Sequence, residues 1–231
     1  MKELLDTLIQ DARVWQAKEH VQIAQAAEPT GFEALDQQLK GTGWPRGALT
    51  ECLLETPGIG ELQLLLPLMR RQIAAGKTLF WINPPHTPYA PALQREGLDL
   101  SRVVVIQTED QTDALWSLEN CLRSSVTGLV LAWPGTLKQR QIRRLQLAAE
   151  TGGSLCVLFR PVRAATESSP AALRLQLTPQ SHGTLQVEVL KRRGGWAADT
   201  CTLALPERNT PVASKNVPRV VHGPWSEAGG S

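Results

Sequence analysis

The sequence predicts an α/β protein: a mostly parallel, twisted sheet with helices on both faces and antiparallel strands added toward the C-terminus. Three observations point there. Several short runs are apolar throughout and are separated by helical segments, the pattern of strands buried on both sides. One strand enters a helix through a glycine turn, "LTECLLETPGIGELQLLLP", Leu49 to Pro67. Beyond Pro161 the runs change to period two, as in half-exposed antiparallel strands.

The elements follow in order. Leu4, Leu5, Leu8, Ile9, Ala12 and Trp15 recur at helical spacing, so residues 2 to 19 read as an amphipathic helix. "EPTGFEALDQQLKGTGWPRGALTE" is dense in Gly and Pro and reads as turns around one short helix. Leu49–Leu54 is a strand and Leu62–Ala75 a helix, where Pro67 invites a kink. "KTLFWI" and "RVVVIQ" are apolar strands, with a short helix in "PPHTPYAPALQREG" between them. "DALWSLENCLRSS" is helical, "GLVLAW" a strand, "LKQRQIRRLQLAAETGG" a helix closed by glycine, and "SLCVLF" another strand. "LRLQLT", "TLQVEVLKR" and "TCTLALP" are the expected antiparallel strands. The chain divides into an N-terminal segment 1–27, a core 28–206 and a flexible tail 207–231.

Composition bounds the function. With 231 residues, 42% hydrophobic and 20% charged, the chain has the make-up of an ordinary soluble domain. A formal charge of +2 is too small to argue for nucleic acid. Cys52, Cys121, Cys156 and Cys201 lie far apart, as buried thiols in a reducing compartment do, and form no zinc-finger spacing. His20, His86, His182 and His222 are scattered and suggest neither a metal nor a triad. The start is acidic and has no long apolar run, so neither signal peptide nor membrane span is expected and the cytoplasm is the default.

The glycine turn raises the chemical question. A phosphate loop, GxxxxGK[ST], needs glycines whose N–H groups wrap phosphates, a lysine for the β/γ charge and a hydroxyl for magnesium. Here the eight positions are Glu55, Thr56, Pro57, Gly58, Ile59, Gly60, Glu61 and Leu62. The turn survives, but an acid replaces the lysine and leucine replaces the hydroxyl. Exchanging a cation for an anion about 4 Å from a phosphate reverses roughly 4 kcal/mol per charge pair. The loop therefore reads as vestigial, with no cofactor and no catalytic residue expected.

These residues carry a resemblance. "TGFEALDQQLKGTGWPRGALTE" followed by "PGIG" resembles the entry to the RecA/RadA recombinase core. Matched by position, Asn83 and Pro85 replace the acids of an Asp-x-Glu-His, with His86 retained, and Trp133 replaces the acid on the magnesium side. The chain is more narrowly similar to ImuA, the RecA-like component of a bacterial damage-inducible mutagenesis cassette, over residues 28 to 205. The motifs include "GWPRGALTE", "PPHTPYAPAL", "VLAWPG" and "LQVEVLKRRGG". The resemblance implies a RecA-like pseudo-ATPase core and a non-catalytic accessory role in SOS-response, error-prone translesion synthesis. It also implies partners: an ImuB-type Y-family polymerase homologue and RecA, with a DnaE-type polymerase and sliding clamp reached indirectly.

Without ATP chemistry, the useful parts are surfaces. Leu5, Leu8, Ile9 and Trp15 would anchor the first helix on its own domain, on a second copy or on a partner. Lys191, Arg192 and Arg193 lie where recombinases reach a neighbouring subunit, and would meet an acidic loop such as Glu55/Glu61 or stand as an exposed strand end. Lys138, Arg140, Arg143 and Arg144 are either a solvated helix face or a contact to DNA phosphates, so any DNA contact is weak or indirect. Two other functions compete: a division inhibitor of the SulA kind, capping FtsZ polymers with the same fold, and a DNA-dependent ATPase.

Overall fold

Strands that are apolar on both sides must be covered on both sides, and the computed structural model of the chain is built that way. It describes residues 27–40, 43–192 and 200–206. The expected helix at 2–19, the tail at 207–231 and Arg193 lie outside the described residues.

An eight-stranded sheet forms the middle layer. Its strands are β3 (Ala48–Leu54), β4 (Thr78–Ile82), β5 (Val103–Ile106), β6 (Thr127–Ala132), β7 (Leu155–Pro161), β8 (Leu173–Pro179), β9 (Thr184–Arg192) and β10 (Thr200–Ala204). They lie in the order β10-β9-β8-β3-β7-β6-β4-β5. From β8 to β5 every pairing is parallel; β9 and β10 add on antiparallel at one edge. A separate two-stranded ladder joins β1 (Ala27–Glu28) to β2 (Trp44–Pro45).

The helices are α1 (Glu33–Gln38), α2 (Glu61–Ala74), α3 (Ala90–Arg95), α4 (Gln111–Arg123) and α5 (Gln139–Gly152). Strand alternation sorts the core into two layers. Leu129, Leu131, Leu155, Val157 and Phe159 join Leu35, Leu64, Leu65, Leu68 and Met69 under α1 and α2. Val130, Ala132, Cys156 and Leu158 face the other way, onto Leu118, Leu122, Ile142, Leu145 and Ala149 of α4 and α5. One polar tie crosses that second layer: buried Gln146 of α5 accepts the Leu49 N–H at 2.9 Å. The glycine expected to close α5 is Gly153, at φ 66°.

Three expectations need correction. "LRLQLT" (β8) runs parallel to β3, because alternation reports half-burial and says nothing about direction; only β9 and β10 are antiparallel. "RVVVIQ" is the outer edge strand, and its Val104 and Val105 are exposed rather than sandwiched. α2 is continuous from Glu61 to Ala74 across Pro67. That proline is packed under the Thr30–Gly31 turn, where a Cβ on Gly31 would lie 2.6 Å from Pro67 Cβ. The turn itself is held by Asp36, whose carboxylate accepts the Thr30 N–H at 2.8 Å.

Candidate functional site

β3 is buried along its whole length and delivers its C-terminal end into the glycine turn, between parallel neighbours β7 and β8. A crevice at the carboxyl ends of parallel strands is the usual ligand position in such sheets. Gly58 and Gly60 sit at φ 90° and 108°, conformations that side chains rarely adopt. The turn therefore needs both glycines, and α2 begins directly after them.

What fills the turn is its own acid. Glu61, 4% exposed, folds back and accepts the Gly58 N–H at 2.8 Å and the Gly60 N–H at 3.1 Å. These are amides of the kind a phosphate would occupy, and the negative dipole partner of the α2 N-terminus is likewise supplied from within. The carboxylate is thus not an open anionic pocket but an internal ligand. Leu62 is half-buried in the core below, while Glu55 and Pro57 are exposed on the rim.

The C-terminal end of the sheet closes over this turn. Leu205 packs so closely on Gly60 that a Cβ there would lie 2.2 Å from Leu205 Cδ1. The Leu205 N–H donates to the Gly183 carbonyl at 3.1 Å, and Gln63 Nε2 donates to the Pro206 carbonyl at 2.8 Å. Leu205, Pro206 and Gln63 thus join the C-terminal end of the sheet to the turn and the first turn of α2.

The other vestigial positions have structural work. Trp133 stacks on Phe159, with centroids 4.6 Å apart, and tilts against Trp81 at 6.2 Å. Asn83, at φ 50°, accepts the Thr108 N–H at 2.8 Å and ties the end of β4 to the segment after β5. Pro85 and His86 are exposed. Lys191 Nζ donates to the Ser169 carbonyl at 2.6 Å, and Arg192 is half-buried with its Nε unpaired among the described residues. Leu5, Leu8, Ile9, Trp15 and Arg193 of the expected partner-binding set are outside the described residues.

A buried ion cluster went unforeseen. Glu51, wholly buried on β3, accepts Arg160 Nη1 at 2.8 Å and Arg174 Nε at 2.6 Å. Arg160 also holds Glu167 at 2.7 Å, and Arg174 donates to the Ala164 and Glu167 carbonyls at 2.6 and 2.9 Å. The signal was present as single charges inside apolar runs, in "LTECLL", "VLFRP" and "LRLQL". Beside it, burial above all, then Glu61 and Glu51, pushes the Cys52 thiol far up, so that it stays protonated. Among the described residues no cluster of His, Cys, Asp and Glu is placed to hold a metal, and no helix is long and apolar enough to cross a membrane.

Comparison with known proteins shows what this chain is similar to. Residues 47–156, just under half of the chain, match the family model described as "Cell division inhibitor SulA". A protein of that name from Photorhabdus laumondii subsp. laumondii is 30% identical over 115 residues, covering 50% of this chain and 65% of the relative. One from Serratia proteamaculans is 27% identical over 121 residues, covering 52% and 72%. One from Edwardsiella piscicida is 31% identical over 101 residues, covering 43% and 60%. The chain therefore spans about two thirds of the curated relatives it matches.

These matches overturn the mutagenesis-cassette expectation. The relatives are division inhibitors by name, and the ImuB-type homologue, RecA, the DnaE-type polymerase and the sliding clamp are withdrawn as partners with it. Part of the reason is visible in the motifs: "VLAWPG", "PPHTPYAPAL" and the second half of "GWPRGALTE" fall inside 47–156, the region matched to the division inhibitors, and so do not separate the two families; "LQVEVLKRRGG" lies beyond it. Through the matched region, the chain is related to the SulA division inhibitors.

Proposed function

We propose that this chain is a cell-division inhibitor that works as a binding module, taking the tubulin-like division protein FtsZ as its target and using no nucleotide chemistry. The match of residues 47–156 to the division-inhibitor family carries the first half. The self-filled turn supports the second: Glu61 uses the amides of Gly58 and Gly60, and Leu205 packs on Gly60. A nucleotide would have to displace both while meeting a buried carboxylate of its own sign. The scaffold is proposed to be RecA-like, on the strength of the Thr30–Asp36 turn, the strand–PGIG–helix step and the parallel sheet around β3. Synthesis after DNA damage belongs to the same proposal.

The test is expression of the full chain in dividing bacteria that lack a mutagenesis cassette. Filamentous cells with unsegregated division sites are expected, together with capture of FtsZ by the tagged protein. Cells of normal length at high protein levels overturn the reading.

A further inference from the structure

We infer that the outer faces of α4 and α5 form a docking surface for an acidic segment of a partner protein bearing apolar anchors. The inference deepens the division-inhibitor reading and rests on it only for the identity of the partner.

The two helices lie side by side on one face of the sheet, with Leu118, Leu122, Ile142, Leu145 and Ala149 turned inward. What they turn outward is unusual. Trp116 is 65% exposed and Leu147 51% exposed. One exposed apolar side chain is ordinary; here each of two neighbouring helices presents one. Between the helices runs a groove of about 400 Å³ lined by Leu115, Arg140, Gln141, Arg144 and Leu145. Residues 140, 143, 144 and 147 recur at three and four, so three arginines share one helical face with the exposed leucine.

The charge balance selects the partner's sign. Glu119 is shared by Arg123 and Arg144, so it neutralises only one of them. Glu150 is engaged by Gln146 Nε2 at 3.0 Å. Arg140 and Arg143 make no ion pair among the described residues. Asp113, one turn before Trp116, is the remaining acid on the pair. The face is a sparse cationic frame around apolar anchors, and Trp with Arg is the composition of interface hot spots. Nucleic acid fits it less well: phosphates reward dense cations and gain nothing from an outward leucine.

The test uses the full chain and a synthetic helical peptide of glutamates with leucines at three and four spacing, beside its lysine-for-glutamate counterpart and a short DNA duplex. The Trp116 indole resonance, assigned through Trp116→Phe, reports contact. The acidic peptide is expected to shift it, the basic one not, with at least tenfold weaker binding in an Arg140→Glu, Arg143→Glu variant of native circular dichroism. Equal binding of both peptides, no loss in that variant, or duplex binding in place of acidic-peptide binding overturns the inference. Cell length separates the two claims. If the chain elongates cells and the variant does so equally, the surface falls and the division reading stands. If the chain leaves cells normal yet binds the acidic peptide through Arg140 and Arg143, the division reading falls and the surface stands.

Discussion

The turn after β3 and the outer faces of α4 and α5 treat charge in opposite ways. In the turn, a carboxylate is folded inward, it accepts from two turn amides and a leucine lies over Gly60. On the helices, Arg140 and Arg143 have no ion pair among the described residues, and Trp116 and Leu147 are exposed. The sheet end is closed and the helical layer is open. A turn whose amides are satisfied from within directs the proposed recognition chemistry to another face. Substitutions should therefore divide sharply: inward changes cost stability, outward changes cost binding.

The largest effect is expected at Glu51. Removing it as Glu51→Ala leaves Arg160 and Arg174 buried without their shared acid, and such loss costs about 3–5 kcal/mol. Urea unfolding measures it; a loss below about 1 kcal/mol would mean the cluster is not what holds β3, β7 and β8 in register. Next comes the turn. Glu61→Ala removes the charged acceptor of two turn N–H groups, the buried one at Gly60 and the part-buried one at Gly58, worth about 1–3 kcal/mol, and both amides should exchange hydrogen faster. Gly60→Ala should destabilise as well, since its φ of 108° and the Leu205 side chain both oppose a Cβ. By contrast, Arg140→Glu with Arg143→Glu should leave stability within about 0.5 kcal/mol. A large loss there would erase the comparison.

The thiols sharpen it at smaller scale. Burial pushes Cys52 and Cys156 far up and Cys121 up to about 11. An acid whose pKa rises on folding adds stability below its unfolded value and loses it as pH climbs toward the folded one. Stability should thus be flat through neutrality and fall from the ordinary thiol value of 9.0 upward. Alkylation at neutral pH should spare Cys52 and Cys156 in the native protein and reach all four cysteines in urea; native labelling of Cys52 would contradict its burial. The smallest effect belongs to Asp99, fully exposed, whose carboxyl is held low by hydrogen bonds from the Ser101 hydroxyl and N–H. Ser101→Ala should raise that carboxyl toward its usual range, visible by NMR titration, with its stabilising share lost as pH falls through the folded value.

Local chemistry made much of this legible. Apolar runs marked β3, β4, β6 and β7 because burial on both faces admits little else, and "PGIG" marked the turn because only glycine accepts its φ values easily. Gly153 marked the end of α5 for the same reason. Direction and pairing were not legible. β8 alternates like an edge strand yet lies parallel beside β3, since the partners of a strand are set by crossover connections and not by its own pattern. Nor could spacing reveal that Glu61 serves its own loop, because a residue one position after Gly60 reads equally as pointing out or folding back. The charges of Glu51, Arg160 and Arg174 were visible singly, but their meeting spans 109 and 123 residues of sequence. The exposed Trp116 looked like one more apolar helix position until the packing of α4 placed it outward. Family identity failed for a different reason, since several of the motifs used for it lie in the region matched to the division inhibitors.

The most direct test of the closed turn is a titration of a fluorescent ATP analogue with magnesium into the purified full chain, followed by anisotropy. A flat response, unchanged by excess unlabelled ATP, is predicted, because Glu61 and Leu205 already hold the positions a triphosphate needs. Saturable binding that unlabelled ATP displaces would contradict the account.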